Sequence, residues 1–392
     1  MHKEEYMSSR VLFVVDSYHI GGTIVSLQSL LSVINPEQLQ VDVYAASDEG
    51  SFRTNLPNCR VLSARPLLAQ SSAGLSMIPK LCYKGIQLLS RLSTRFLKKD
   101  LRATFVSKGC RRLGIQQYDC VVCYSEQLVN YVSLFPARRK IAWIHCDYSR
   151  VVNDQNKAVL FNALNRYNQI VCVSEYARTE FVKIFPQFEC KATAIHNIIN
   201  ERFIQQRANE INDLDSRFSN KAFKIVSIGR LDPIKQFHLI PRIAEQVLNE
   251  SGPVFTWFII GGVHGYDEEY LQIMNEINQR HLENIVVLLG EKQNIYPYIK
   301  NADLYVCTSK SESYPLVVNE AKALRVPIIS NYFPSVVESV QDGKDGYVVK
   351  QDRIAETIVE HIRNPKLKRD GEVISENAII LSKIMELLTN KE

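Results

Sequence analysis

Apolar, β-branched runs of four or five residues alternate along this chain with longer stretches whose apolar positions recur every three to four residues. The short runs at 11–15, 41–45, 120–123, 141–144, 170–173, 192–195, 224–228, 256–260, 286–289, 304–308, 327–330 and 346–349 predict strands. Between them, 23–34, 176–185, 236–249, 268–281, 294–300 and 318–324 predict helices. Strand, helix, strand in repetition implies parallel sheets with helices on both faces, an α/β fold. The stretch 201–220 breaks the rhythm: it is polar, rich in Asn, Asp, Gln and Arg, and has no strand pattern. It is expected to link two domains, 1–200 and 221–374, each with about six strands and its own doubly wound sheet. Residues 375–392 form a tail that reads as a helix to 388 and is expected to pack back on the first domain.

Composition narrows the class. With 392 residues, 46% apolar and 23% charged, the chain suits a two-domain globular protein. The first residues, Met1 to Tyr6, are polar and unlike a secretory signal, and no apolar stretch approaches the ~20 residues that span a bilayer. Nine cysteines are scattered without metal-ligand spacing. Cys120, Cys123, Cys172 and Cys307 sit in apolar strand-like runs, as reduced core thiols of a cytosolic protein do. The C-x-x-C of Cys120 and Cys123 lies within a strand-like run instead of opening a helix, which argues against redox chemistry.

Charge changes the picture more. The net charge is +5, yet 51–117 holds thirteen Lys or Arg against a single acid, Asp100. Within it, 76–99 interleaves cations with Leu, Ile, Tyr and Phe at helical spacing, the pattern of an interfacial helix on an anionic leaflet. The alternative is a core-packed helix with a solvated basic face. Nucleic-acid binding is set aside, since no helix-turn-helix or RNA-binding signature accompanies the charge. The segment 76–112 is therefore expected to face an anionic membrane surface.

Candidate chemistry lies at strand ends. The strand run 304–308 leads into Ser309-Lys310-Ser311-Glu312-Ser313-Tyr314-Pro315, and Glu320 follows Glu312 by eight residues, about a turn inside the next helix. Glu312 then stands at the carboxyl edge of a sheet, where open α/β folds bind ligands, beside helix N–H groups that can meet an anion. A second strand end, Gly229-Arg230-Leu231-Asp232-Pro233-Ile234-Lys235, puts two cations at a helix start, a phosphate-site pattern. In the first half, Ser17-Tyr18-His19-Ile20-Gly21-Gly22-Thr23 joins strand to helix. Its Gly-Gly pair allows close backbone approach to a ligand but serves equally as plain turn chemistry, and G-x-G-x-x-G is absent. His145, with Asp147 and Tyr148, ends another strand and is read as lining a cleft.

Together these residues resemble a family 4 retaining glycosyltransferase of the GT-B architecture. The resemblance rests on Gly229-Arg230-Leu231 with Lys235, Glu312-x7-Glu320 with Ser313-Tyr314-Pro315-Leu316 inside it, the Gly290 turn before Ala302-Asp303, Val171-Cys172-Val173-Ser174 before a helix, and Gly21-Gly22. It covers nearly the whole chain and is strongest from 224 to 350.

The resemblance implies two Rossmann-like domains facing a central cleft and a nucleotide-sugar donor. Arg230 and Lys235 would bind its diphosphate, Glu320 the ribose hydroxyls and Glu312 the transferred sugar. Ser313 and the N–H groups of Tyr314, Leu316 and Val317 would cradle sugar and phosphate, with Gly22 and Gly290 also on the donor and the base near 290–295. His145 would stand beside the reacting sugar. No metal or other cofactor is expected. Transfer would retain configuration by front-side attack, onto a lipid-linked glycan acceptor of cell-surface polysaccharide assembly such as capsule, with the enzyme cytoplasmic and peripheral at the inner membrane face. A non-catalytic partner subunit of the same fold and a nucleotide-sugar epimerase are the alternatives. Two departures stand out. Gln236 follows Lys235 where the family often has Gly, which alters helix entry. Thr23 ends the first glycine loop where an acid is common, which leaves the acceptor side open.

Overall fold

A computed structural model describes residues 9–19, 21–63, 65, 68, 77–97, 102–210, 214–219, 221–252, 254–263, 265–365, 367 and 376–389. Of the segments named above, Met1 to Tyr6, Ile20, Ser76, Lys98, Lys99, Asp100 and Ser375 lie outside the described residues. The chain divides into two units, Met1–Ile198 with Glu376–Glu392, and Ile199–Ser375.

The first unit runs β1 (Ser9–Val15), α1 (Gly22–Val33), β2 (Leu39–Ala45), β3 (Arg60–Leu62), α2 (Met77–Leu97), α3 (Arg102–Leu113), β4 (Cys120–Cys123), α4 (Val129–Val132), β5 (Lys140–Ile144), α5 (Lys157–Leu164), β6 (Gln169–Cys172), α6 (Glu175–Ile184) and β7 (Ala192–Ala194). Its strands form one parallel sheet in the order β3-β2-β1-β4-β5-β6-β7. The second unit runs α7 (Glu201–Ala208), β8 (Phe223–Ile228), α8 (Ile240–Ser251), β9 (Phe255–Ile260), α9 (Asp267–Gln279), β10 (Val286–Gly290), α10 (Tyr296–Lys300), β11 (Leu304–Cys307), α11 (Leu316–Ala323), β12 (Ile328–Asn331), β13 (Gly346–Val349) and α12 (Ile354–Arg363). Its parallel sheet has the order β10-β9-β8-β11-β12-β13. The last helix, α13 (Asn377–Thr389), belongs to the first unit and buries Ile380, Ile384 and Leu388, one residue per turn.

Every predicted strand is present, displaced by no more than two residues at either end. The edge strand β3 was not predicted. The stretch 201–220, expected to be a linker, begins with α7, which packs on α10 and α11 of the second unit.

The continuous apolar runs follow from burial on both faces. In the second sheet, Ile225, Trp257, Ile259, Leu304 and Val306 join the core under α8, α9 and α12. Their neighbours Val226, Ile228, Phe258, Ile260, Tyr305 and Cys307 join the opposite core. Ser227, fully buried, donates to the Val306 carbonyl (2.6 Å) and accepts the Trp257 indole N–H (3.0 Å), so this core leaves neither polar group unpaired. Both units start their central strand alike: the Arg10 N–H donates to the Asp119 carboxylate (2.8 Å), and the Lys224 N–H to that of Asp303 (2.8 Å). Cys120, Cys123 and Cys172 are buried, and burial pushes each thiol up to about 12. The first two alternate across β4, on opposite faces.

At the carboxyl edge of the second sheet two backbones nearly touch. A Cβ built on Gly261 would stand 1.7 Å from the Gly229 carbonyl oxygen. Gly261→Ala is therefore expected to displace the turn after β8 and cost roughly 1–3 kcal/mol, as overpacking does; a urea midpoint equal to that of the unsubstituted protein would contradict the close approach.

Candidate functional site

The strand order of the second sheet reverses between β8 and β11, and ligands of open α/β sheets bind outside the strand ends at such a point. Two loops meet there. After β8, Asp232 is buried and its Oδ1 accepts the N–H groups of Ile234 (2.9 Å) and Lys235 (3.3 Å). This Asx turn, with Pro233 restricting φ, folds the chain back so that Lys235 crosses the strand end. A Cβ on Gly229 would sit 2.9 Å from Lys235 Cε, so glycine leaves room for the lysine stem. The loop after β11 is laced to this turn: Thr308 Oγ1 donates to the Lys235 carbonyl (2.7 Å) and the Lys310 N–H to that of Ile234 (2.8 Å).

Lys235 Nζ donates to Glu312 Oε1 at 2.6 Å, and Ser309 Oγ donates to the same oxygen at 2.8 Å. Burial works most strongly against the lysine charge, but the Glu312 carboxylate together with the neighbouring Cys307 and Asp232 raises the ammonium pKa on balance. Ser335 Oγ holds the Glu312 carbonyl (2.6 Å), and Asn331 Nδ2 holds that of Ser309 (3.0 Å). Arg230 is exposed, with its guanidinium 3.5 Å from Asp232. Ser313 and Tyr314 are half-buried in the loop that enters α11. Pro315 caps α11 without a side-chain hydrogen bond and no acid lies in the first turn, so the N–H groups of Leu316 and Val317 stand at an uncapped, positive helix end.

Glu320, in the next turn of α11, is buried and accepts the Tyr296 hydroxyl proton (3.1 Å). Burial raises its pKa to about 7, against the partial relief of that bond. Gly290, exposed at the end of β10, accepts the Gly261 N–H (3.0 Å). The structure thus brings Lys235 directly onto Glu312 and sets Arg230, Ser313, Tyr314, Leu316, Val317, Glu320 and Gly290 on the surrounding loops and helix of the same sheet edge. Sequence reasoning missed the supports Asp232, Ser309, Tyr296, Asn331 and Ser335. Only the Asp-Pro turn had a local signal.

In the first unit, Gly21 caps α1 without a side-chain bond and Gly22 is exposed at the helix start. His145 follows β5. Its ring meets Tyr124 edge-on (centroids 4.5 Å), and the Tyr124 hydroxyl lies 3.2 Å from Ser26 Oγ of α1. Burial lowers the imidazole pKa to about 3, and Nε2 is buried without a partner, so His145 is neutral at physiological pH. The expected polar trio does not hold together. Asp147 caps its own turn through the N–H (2.9 Å) and hydroxyl (2.7 Å) of Ser149, while Tyr148 is a core residue packed on Phe181 and Phe185. Glu126, after β4, was not anticipated. Burial raises its pKa, and hydrogen bonds from the His145 backbone and the Cys146 thiol draw it partly back.

Residues 209–378, nearly all within the second unit, match the family model of glycosyl transferases group 1. An uncharacterized glycosyltransferase of Haemophilus influenzae is 26% identical over 268 residues, 67% of this chain and 70% of that protein. The N-acetylgalactosamine-N,N'-diacetylbacillosaminyl-diphospho-undecaprenol 4-alpha-N-acetylgalactosaminyltransferase of Campylobacter jejuni is 24% identical over 269 residues, 66% of this chain and 69% of that one. Matches to several other curated relatives span about half of their length or less. Among solved structures, Anabaena HepE in complex with UDP and glucose shares 18% identity and a TM-score of 0.70, covering 97% of this chain and 99% of that one. The fold, two Rossmann-like parallel-sheet units, is that of the GT-B glycosyltransferases. The family match and the named relatives support a glycosyltransferase of this architecture.

Two predictions follow from the geometry. Gln236 adopts φ +53°, the left-handed region glycine prefers, and its Oε1 is buried without a partner. Gln236→Gly should therefore stabilise the protein by about 1 kcal/mol, read from the urea midpoint. Glu320 favours its neutral form when folded, so its contribution falls as pH rises from the unfolded value of 4.5 through about 7. Glu320→Gln should thus exceed the unsubstituted protein in stability by roughly 3 kcal/mol at pH 8 and match it near pH 4; a pH-independent difference would overturn the assignment of the raised carboxyl.

Proposed function

We propose that this protein is a retaining glycosyltransferase that moves a hexosyl unit from a nucleotide-sugar donor to a glycan acceptor in cell-surface polysaccharide assembly. The observation that carries the reading is the Lys235–Glu312 pair at the switch point of the second sheet, with Glu312 in the loop that leads into the uncapped start of α11. Lys235 and Arg230 take the donor diphosphate with the N–H groups of Leu316 and Val317. Its charge is met by these groups rather than by a metal ion. Glu320 accepts the ribose hydroxyls, and Glu312 a hydroxyl of the sugar. The bond from the anomeric carbon to the phosphate oxygen breaks, and the charge gathering on the leaving diphosphate is stabilised by Lys235 and Arg230. The acceptor hydroxyl attacks from the face the diphosphate leaves, and its proton passes to the departing phosphate oxygen, so configuration is retained without a covalent nucleophile. The first unit is assigned the acceptor, with His145 as a neutral imidazole at its sheet edge.

The Campylobacter relative's name contains an undecaprenol-diphosphate acceptor, and this supports a lipid-linked acceptor here. The enzyme then works peripherally at the inner face of the cell membrane. Among the described residues no helix is long and apolar enough to cross a bilayer.

The test is thermal shift of the purified protein against UDP, GDP, ADP and their sugar conjugates, with and without EDTA. One nucleotide class should raise the melting temperature, unaffected by the chelator, and the shift should vanish in Lys235→Ala. Absence of a shift with every nucleotide sinks the donor-site reading.

A further inference from the structure

Helix α2 carries its apolar residues on the wrong side for a core helix. Tyr83 is buried, and Pro79 and Ile86 are half-buried. At 100° per residue these three fall within about 60° of one another and define the inward face. The opposite side centres on Met77, Leu81 and Leu88, and Ile78 and Leu89 extend this apolar sector along one flank, about 90° from that centre. All five are between 55% and 77% exposed. Lys80 and Lys84 are exposed along the other flank of this stripe. A globular helix turns its apolar stripe to the core and its charges to water. Here the described part of the helix turns both outward, so a core-packed helix with a solvated basic face does not describe it. A contiguous exposed stripe of large apolar side chains marks a surface that meets something.

The charge around it identifies the partner's chemistry. Residues 51–117 carry thirteen Lys or Arg against Asp100 alone, and the sequence beyond Leu89 continues with Arg91, Arg95, Lys98 and Lys99. A partner that is apolar beneath and anionic above fits this combination, and an anionic lipid leaflet has that profile. We propose that α2 lies in the plane of an anionic bilayer, with Met77, Ile78, Leu81, Leu88 and Leu89 seated among the acyl chains and Lys80 and Lys84 at the headgroups. This deepens the membrane partner of the proposed function and rests on that reading for its purpose only, since lipid binding requires neither donor nor acceptor.

The test is co-sedimentation of the full chain with vesicles of phosphatidylcholine alone or mixed with phosphatidylglycerol, at low and high salt. The protein should sediment with the anionic vesicles and not the neutral ones. Lys80→Ala with Lys84→Ala should weaken binding roughly 30-fold at low salt, about fivefold per cation removed. Leu81→Asp with Leu88→Asp should abolish binding at either salt. Because all four side chains are exposed, the variants should melt with the unsubstituted protein, which separates lost docking from lost folding. Failure of the unsubstituted protein to sediment overturns the proposal, as does undiminished binding by the Leu81→Asp, Leu88→Asp variant. Self-association in solution that this variant abolishes, without vesicle affinity, also overturns it and assigns the stripe to a second copy of the chain. A protein that responds to nucleotides yet ignores vesicles loses this inference and keeps the sugar-transfer reading; the converse result does the reverse.

Discussion

A half-buried ion pair, Lys235 to Glu312, joins the loops that leave the two central strands of the second sheet. Parallel strands cannot be linked to their neighbours by tight turns, so each carboxyl end must launch a crossover. At β8 and β11 the crossovers depart in opposite directions along the sheet, and the gap between them would expose backbone on both sides. The pair bridges that gap, with Thr308 and Lys310 bonded to the backbone on the other side. A partly buried pair of this kind contributes little net stability, because desolvation offsets attraction. What it supplies is position: an ammonium and a carboxylate held at a sheet edge, each with capacity left for a ligand.

The two units repeat the same strand logic and diverge in what they place at the edge. Asp119 and Asp303 start the central strands identically, and both sheets reverse order at the strand that follows. In the second unit the edge gathers opposite charges and an uncapped helix end. In the first, the edge is quieter, with a neutral His145, a raised Glu126 carboxyl and a glycine-led helix. The first unit's strong charge lies instead in the segment that contains α2 and α3. One sheet edge therefore suits a compact anion, while the other unit's cations are spread along the chain.

Much of this was legible in the sequence because both sheets are buried on both faces, which forces uninterrupted apolar runs. Strand β3 escaped because Arg60–Leu62 has no fully buried position: Arg60 is exposed and Val61 and Leu62 are half-buried, so no apolar run marks it. Helices α3 and α7 escaped because their polar faces dominate: α3 carries Arg102, Lys108, Arg111 and Arg112, and α7 buries only Ile204 and Ala208. At the site, Lys235, Glu312 and Glu320 could be found because a strand end, a turn and a helix start are local features. Ser309, Tyr296, Asn331 and Ser335 could not, since their roles depend on contacts between separate loops. Tyr148 was misread for a related reason. Its phenol looks polar beside His145 and Asp147, yet its ring completes an aromatic core with Phe181 and Phe185 that only the fold assembles.

Three polar features of the site share a chemical character. Ser311 Oγ is buried without a partner in the loop between β11 and α11, Glu320 is held near neutrality by burial, and the first N–H groups of α11 have no capping side chain. Burying the Ser311 hydroxyl and the Glu320 carboxyl costs folding free energy, which the Tyr296 hydroxyl offsets only in part at Glu320. A polyhydroxylated anion supplies what all three lack: hydroxyls that donate to a carboxylate and accept from a serine, and oxygens that accept from helix N–H groups. An apolar ligand would leave them as they are. Binding of such an anion at this edge would also draw the Glu320 proton off, since hydroxyl donors favour the carboxylate. These polar groups are what favours the proposed donor over an apolar ligand at this edge.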